Sequence, residues 1–317
     1  MIRTALSMVS PGGARGRLSI LIFHRVHPQR DPQAPGEVTT REFDALCGWL
    51  RRWCEVLPLR QAVAALKGGR LPRRAVAITF DDGYRDNHDE ALPVLRRHGL
   101  PATFFVASSF LDGGRMWNDT VIEAVRHARG AALDLTGTPA YSLGVLPLAG
   151  EGARPHALRA IIGLAKYLAP AERQRCVDAV AERAQAELPA DLMMSSEHVR
   201  ALHQAGMEIG AHTTTHPILK GMPAQQVRAE IDDNRRALAQ ITGHAPTLFA
   251  YPNGRPDVDY DESTAEAVRS MGFEAAVSTA WRAARTGDDL WQLPRYTPWE
   301  RTRWRFAMRL GHTLATT

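Results

Sequence analysis

The chain has 317 residues, 44% of them hydrophobic and 23% charged, and a formal net charge of +5 at pH 7. A chain of this length and composition can bury its own core, which argues against a disordered protein and against a small domain stapled by disulfides. The positive charge comes almost wholly from arginines that are scattered rather than grouped, so we expect no nucleic-acid partner.

The predicted elements begin after residues 1–17, a polar, glycine-containing stretch that we expect to be a flexible tail. It lacks the apolar core of a signal peptide, which predicts a cytoplasmic location. Short apolar runs predict strands at 18–23, 75–80, 102–107, 207–212, 247–250, 273–278 and 292–296. Amphipathic patterns predict helices at 40–54, 59–67, 89–98, 195–205, 223–241, 261–271 and 299–311. Thr39 and Glu42 fit a capping box at the start of the first helix.

Repeated strand–helix units imply parallel strands joined by right-handed crossovers. Seven such units predict an α/β fold, a distorted TIM-like barrel of the (β/α)7 type, with an open doubly wound sheet as the alternative. Residues 112–195 interrupt the alternation with loops and with two helices predicted near 155–168 and 170–186. We therefore predict one domain over 18–317 that carries a helical insertion of about 112–195 after its third strand.

Four features have ordinary structural interpretations. The cysteines, Cys47, Cys54 and Cys176, are odd in number and lack metal-site spacing, so we expect free thiols in the core. No apolar run is long enough to predict a membrane span. The stretch 299–310 mixes Trp, Phe and Arg, and we expect it to pack as the last barrel helix rather than to touch a membrane surface. Trp117 could shape a sugar cleft, but ordinary packing is the prediction.

Polar side chains cluster where the predicted strands end, which is the edge at which such barrels carry their active sites. They come from five different strands or the loops that follow them: His24, Asp81, Asp82, His212, His216, Asn253 and Arg295. Because the carboxyl ends of parallel strands meet at one mouth, we expect these distant residues to lie close together.

Two of these segments have the composition of a metal site. Adjacent aspartates in Thr79–Gly83 are costly to bury unless a cation compensates them, although Asp-Asp-Gly is also common in turns and at helix starts. The histidines at the ends of His212–His216 can bind one metal, although such pairs are also found as structural histidines. Together with Asp82 they form a set that suits zinc or a similar divalent ion with an open position for water.

Thr79–Gly83 and Met207–His216 resemble the first two motifs of the polysaccharide deacetylase family, also known as the NodB-homology family or carbohydrate esterase family 4, and Phe249–Gly254 resembles the third. The resemblance covers about residues 18–110 and 193–297. It implies a (β/α)7 barrel and a divalent metal, most often zinc, with Co²⁺, Ni²⁺ and Mn²⁺ as other options.

Matching positions imply that Asp82, His212 and His216 bind the metal and that Asp81 is the general base. The third motif implies that the backbone N–H of Asn253 binds the oxyanion. Two departures stand out: Ala250 occupies a position where many members carry Arg, and the late histidine, His312, lies beyond the last predicted strand.

A different arrangement compensates for the missing late histidine. His24 after the first strand and Arg295 on the last strand resemble the poly-N-acetylglucosamine deacetylases within the family. The resemblance implies that His24 is the general acid and that Arg295 holds Asp81. The alternatives are a core histidine and a structural ion pair.

We therefore predict a metal-dependent hydrolase that removes N-acetyl groups from amino sugars of a polysaccharide or glycan precursor. One alternative is a deformylase or another amide hydrolase on the same barrel, whose site would look the same. The other is a non-catalytic carbohydrate-binding protein, which the intact Asp81, Asp82, His212 and His216 argue against.

Overall fold

The computed structural model describes residues 1–315 and separates into two compact units. The first unit combines Met1–Asp112 with the C-terminal segment that begins at Met193, and the second is Gly113–Leu192. The strands are β1 (Arg17–Phe23), β2 (Val26–His27), β3 (Val38–Thr39), β4 (Glu55–Val56), β5 (Ala75–Phe80), β6 (Thr103–Val106), β7 (Ala132–Asp134), β8 (Val145–Pro147), β9 (Glu208–Ala211), β10 (Leu248–Ala250), β11 (Ala275–Val277) and β12 (Ala284–Arg285).

The helices alternate with these strands through most of the chain. They are α1 (Ile2–Val9), α2 (Thr40–Trp53), α3 (Leu59–Lys67), α4 (Leu92–His98), α5 (Trp117–His127), α6 (Ala153–Ala165), α7 (Pro170–Ala184), α8 (Ser196–Gln204), α9 (Ala224–Thr242), α10 (Glu262–Ser270) and α11 (Arg303–Ala315). A π-helical turn at Asn87–Ala91 leads into α4, where the sequence predicted one continuous helix.

A curled sheet of parallel strands forms the centre of the first unit, in the order β11–β10–β9–β6–β5–β1. Phe23 pairs with Phe80, so His24 and Asp81 leave the sheet side by side. Val106 likewise pairs with Ala211, so His212 emerges at the same edge. This register gathers the ends of strands that are far apart in sequence.

The predicted strand at 292–296 is instead an irregular segment that connects the two ends of the sheet. The Leu293 N–H donates to the Ala276 carbonyl on one side (2.9 Å), and the Tyr296 N–H donates to the Ile20 carbonyl on the other (3.0 Å). Pro294 lies between them and has no N–H to donate, which interrupts a regular ladder. The segment takes the seventh position, and the prediction of a (β/α)7-type barrel is confirmed.

Aromatic side chains fill the core between the sheet and α2. Phe80 stacks on Phe104 with ring centroids 4.8 Å apart and on Phe23 at 5.4 Å, and Phe43 from α2 meets both Phe23 and Phe80 edge-on. The predicted capping box at Thr39 is present, with the Glu42 N–H donating to the threonine hydroxyl and the glutamate accepting from the Thr39 N–H. Strong local signals therefore gave accurate helix boundaries here.

The expectation of a flexible tail over residues 1–17 is wrong for its first half. Ile2, Leu6 and Val9 have helical spacing, and Leu6 is buried where α1 packs on α11. The last helix begins at Arg303 rather than at 299 and buries an apolar stripe that includes Phe306. The expectation that it packs inward is confirmed for this stripe, while Trp304 and Met308 are exposed.

The second unit has a core of its own, formed by α5, α6, α7 and the antiparallel β7–β8 hairpin. The sequence predicted α6 and α7 but neither α5 nor the hairpin. Trp117 begins α5, and the Arg173 guanidinium lies 5.2 Å from the centre of its ring. This contact fits the packing role predicted for Trp117.

Two further predictions concern the cysteines and the lack of a membrane-spanning segment. The three cysteines are free thiols, of which Cys47 and Cys176 are buried and Cys54 is partly buried. Within residues 1–315, none of the helices combines the length and apolar character that crossing a bilayer requires.

Candidate metal centre

Three side chains predicted as metal ligands converge at the carboxyl ends of β5 and β9. His212 Nε2 lies 3.3 Å and His216 Nε2 lies 3.4 Å from the same oxygen of Asp82, Oδ1. One ligand atom from each of the three residues lies within 4.8 Å of the others. The three atoms are close enough to share one ion, as the sequence analysis expected.

The hydrogen bonds of His212 leave the correct nitrogen available to a metal. Its Nδ1 lies 2.8 Å from the Ala250 carbonyl oxygen, which can only accept, so Nδ1 carries the proton. Nε2 then presents its lone pair beside Asp82. Because the backbone carbonyl at position 250 makes this contact, the replacement of Arg by Ala there leaves the orientation of His212 intact.

The charges of the cluster favour a bound cation. Burial by itself would raise the pKa of Asp82, but the close contacts with His212 and His216 hold that pKa below its usual range. Burial lowers the pKa of His216 to about 4, so this imidazole is neutral at pH 7. Burial also opposes the charged form of His212, but Asp82 and Asp81 outweigh it and raise the His212 pKa. Two buried carboxylates thus stabilise positive charge here.

Asp81 forms a two-point ion pair with Arg295. Both contacts from the guanidinium to the carboxylate are 2.7 Å, and the Arg295 side chain is fully buried. The same guanidinium donates to the Ser278 carbonyl at 3.0 Å and to the Thr79 hydroxyl at 3.2 Å. Burial would raise the pKa of Asp81, but Arg295 lowers it, so Asp81 is ionised at neutral pH and fixed in orientation.

His24 lies where β1 ends, next to these carboxylates. The pairing of Phe23 with Phe80 brings it beside Asp81, and it is one of the neighbours that lower the pKa of both Asp81 and Asp82. The side chain is partly exposed, unlike the enclosed histidine that a core position predicts. The buried Asn87 side chain donates a 2.8 Å hydrogen bond to the His24 carbonyl and so fixes the backbone at this position.

Asn253 lies in the loop after β10 with a left-handed φ of 58°. Its carbonyl accepts from the Thr279 hydroxyl at 3.1 Å, and the Thr279 N–H donates to the Gly254 carbonyl at 2.8 Å. Among residues 1–315, no hydrogen-bond acceptor is found for the Asn253 N–H, which stays available to a ligand. Its role toward an oxyanion stays a prediction.

Backbone strain is concentrated in these loops. Four non-glycine residues with left-handed φ values belong to the three motif segments: Asp82 (78°), Thr213 (62°), His216 (52°) and Asn253 (58°). Such conformations are unfavourable for residues with a side chain and are typical of functional sites whose surroundings enforce them.

Two residues of this neighbourhood were missed by the sequence analysis. Glu230 and Asn234 of α9 hydrogen-bond the loop that carries His212 and His216. The signal that could have revealed them is Asn234, a polar residue on the buried face of α9, one helical turn from Glu230. In contrast, His312 is on α11 and its side chain is exposed, in agreement with its exclusion as the acid.

Comparison with known proteins identifies the family. The polysaccharide deacetylase family model matches residues 68–129 and 173–276, more than half of the chain. YxkH of Bacillus subtilis (strain 168) is 22% identical over 281 residues, which are 88% of this chain and 70% of YxkH.

Several relatives carry a more specific name, poly-beta-1,6-N-acetyl-D-glucosamine N-deacetylase, and two of them illustrate the match. The Staphylococcus epidermidis protein is 32% identical over 82 residues, 26% of this chain and 28% of that protein. The Escherichia coli (strain K12) protein is 30% identical over 92 residues, 28% of this chain and 14% of that protein. The chain therefore matches less than a third of the length of either relative.

Solved structures show the same fold over nearly the whole chain. IcaB from Ammonifex degensii superposes with a TM-score of 0.61 at 19% identity, covering 97% of this chain and 99% of that one. The Streptococcus pyogenes deacetylase PplD, solved in complex with acetate, gives a TM-score of 0.59 at 18% identity, covering 89% of this chain and 92% of that one. With the family-model match and the converged motif residues, these findings show that the chain belongs to the polysaccharide deacetylase family, in which the relatives with a more specific name are N-deacetylases, hydrolases of amide bonds.

Proposed function

We propose that this protein is a zinc-dependent N-deacetylase of a polymer of N-acetylglucosamine, with β-1,6-linked chains as the first substrate to test. The observation that carries the proposal is the convergence of Asp82, His212 and His216 next to an aspartate that Arg295 holds. The named substrate of the staphylococcal and Escherichia coli relatives supports the choice of polymer.

The donor set fits a divalent metal. Two imidazole nitrogens and one carboxylate oxygen are a ligand set that zinc accepts, with room for water. The protonation states agree, because Asp82 is ionised, His216 is neutral, and Nδ1 of His212 holds its proton away from the cluster. When bound, such an ion supplies Lewis-acid polarisation of a carbonyl and lowers the pKa of water.

The residues of the chain would then perform the proton transfers. Asp81, held as a carboxylate by Arg295, would accept the proton of the attacking water. The Asn253 N–H would donate to the acetyl oxygen as it gains negative charge, and one such donor is typically worth about 3–4 kcal/mol. His24 would give a proton to the amine nitrogen as its bond to the acetyl carbon breaks. Water and the N-acetyl sugar yield acetate and a free amino sugar.

The test is release of acetate from acetylated β-1,6-linked glucosamine oligomers, with β-1,4-linked and monomeric sugars as comparison substrates. The chelated enzyme should be inactive, and added Zn²⁺ should restore it. Asp81→Asn should abolish acetate release while the variant still binds zinc, because the proposed base is not a ligand. The N-formyl counterparts of these sugars are tested in parallel, and release of formate from them alone would identify a deformylase. A protein that binds zinc but releases neither acetate from the acetylated sugars nor formate from the formylated ones would be a carbohydrate-binding protein.

A further inference from the structure

Helix α9 makes several hydrogen bonds to the loop that carries two of the three proposed ligands, and the Ser109 N–H adds one to the Thr214 carbonyl at 3.0 Å. His212 and His216 stand at the ends of a five-residue segment that leaves β9. Thr213 and His216 both have left-handed φ values, which residues with a side chain adopt unfavourably. The His216 N–H donates to the Thr213 hydroxyl at 3.1 Å, which closes the turn locally. This bond joins residues of the segment itself and does not fix its position on the barrel.

Glu230, on α9, holds the middle of the segment. Its Oε2 accepts from the Thr214 N–H at 2.9 Å and from the Thr215 N–H at 2.8 Å, and its Oε1 accepts from the Thr215 hydroxyl at 2.6 Å. The Thr214 N–H and hydroxyl also donate to the Glu230 backbone carbonyl, at 3.1 and 3.0 Å. Hydrogen bonds to a charged group are among the stronger ones in proteins. The Glu230 side chain therefore holds the Thr215 N–H and hydroxyl, and it shares the Thr214 N–H with its own backbone carbonyl.

Asn234, one turn further along α9, holds the beginning of the segment. Its Oδ1 accepts from the His212 N–H at 3.1 Å. Its Nδ2 donates to the Val106 carbonyl at 3.0 Å and to the Ser108 hydroxyl at 2.9 Å, at the end of β6. The side chain is fully buried, so its three bonds are not exchanged for water. It ties the backbone of His212 to the neighbouring barrel strand.

We propose that Glu230 and Asn234 are positioning residues that set the metal affinity of the site by holding the His212–His216 segment in its strained conformation. The inference rests on the proposed function, since it takes His212 and His216 as ligands. Without these bonds the segment relaxes, and a metal must order it again before both imidazoles reach the ion. Loss of such supporting contacts in metal sites typically weakens binding by roughly tenfold to a hundredfold.

The experiment measures zinc affinity by competition with a chromogenic chelator, together with the visible absorption of the Co²⁺-substituted protein. Glu230→Ala should weaken zinc binding by roughly tenfold to a hundredfold and change the cobalt spectrum. Because alanine is an excellent helix former, a loss of helix stability would not explain this change. Glu230→Gln should stay near the wild-type affinity, because its amide oxygen can still accept both backbone bonds. Asp232→Ala is the matched control, since Asp232 is exposed on the same helix and pairs with Arg236, and its affinity should not change.

Asn234→Ala should weaken zinc binding as Glu230→Ala does. If the cavity left by removing the buried asparagine side chain prevents folding, the half-buried Glu230 position decides the question. Wild-type zinc affinity and an unchanged cobalt spectrum in Glu230→Ala would overturn the inference, whatever its melting temperature, because a purely structural residue would lower stability alone. If the wild-type protein itself binds no divalent metal, the proposed function fails as well. The two failures are therefore distinguishable.

Discussion

The ion pair between Arg295 and Asp81 allows a prediction about stability that can be tested without measuring catalysis. Arg295→Met keeps an unbranched chain of similar length but removes a guanidinium that is fully buried and bonded twice to Asp81 at 2.7 Å. The Asp81 carboxylate, 3% exposed, would then be left as a buried charge without its partner.

The expected magnitude follows from this burial. Removing one partner of a buried pair typically costs about 3–5 kcal/mol in the free energy of unfolding, because the other charge stays desolvated. Adding Asp81→Asn removes that charge, so the double variant should regain on the order of 1–3 kcal/mol relative to Arg295→Met alone. The second substitution should thus stabilise the first variant although it changes another buried residue.

The dependence on pH has a definite sign. In the wild-type protein Arg295 holds the pKa of Asp81 below its ordinary value of 3.8, so the pair contributes stability above that value, and the contribution is lost as the pH falls through the folded-state pKa. In Arg295→Met burial dominates and raises the Asp81 pKa, so lowering the pH toward 5 should relieve part of the loss.

The assay is urea unfolding of the wild type, both single variants and the double variant, with a chelator present so that metal does not contribute. Matching unfolding slopes would show that the same surface is exposed in each case. A double variant no more stable than Arg295→Met would refute the reasoning, since it would mean that the carboxylate gains little from the guanidinium.

Three further predictions concern other parts of the first unit. Because the pKa of His212 lies above 6.5, zinc affinity measured by chelator competition should fall as the pH drops below about 7, and a flat profile down to pH 5 would contradict this. Gly210→Ala places a Cβ 2.3 Å from the edge of the Phe105 ring and should destabilise the barrel by about 1–3 kcal/mol in urea unfolding; unchanged stability would show that the ring moves freely. Leu6→Ala should cost about 2–5 kcal/mol while kcat/KM is kept, and loss of activity in the folded variant would show that α1 affects the site.

The sequence predicted the elements with strong local patterns. The two strands that end at Phe23 and Phe80 are mostly apolar, and their parallel register brings His24 next to Asp81. The candidate site could be assembled in this way from residues that each follow a strand. The contact between Arg295 and Asp81 was expected from the resemblance, and the two hydrogen bonds place it in the structure.

Other features depend on tertiary contacts that local patterns do not encode. The three apolar residues at helical spacing in α1, Ile2, Leu6 and Val9, are too few to distinguish a helix from a tail until α11 provides the surface that Leu6 covers. Pro294 interrupts the segment that closes the barrel, so its pairing is set by both neighbours rather than by its own residues. Glu230 looks like an ordinary helix residue in the sequence, and only the fold brings it to Thr214 and Thr215. The expected cytoplasmic location and the absence of a nucleic-acid partner stay predictions.

We expect one divalent ion to be shared by Asp82, His212 and His216 and to be needed for deacetylation. Crystals of the zinc-loaded, active protein, measured on both sides of the zinc absorption edge, test it directly. We expect one strong anomalous peak bonded to Asp82, His212 Nε2 and His216 Nε2. A fully active protein whose crystals show no peak among these three side chains would contradict it.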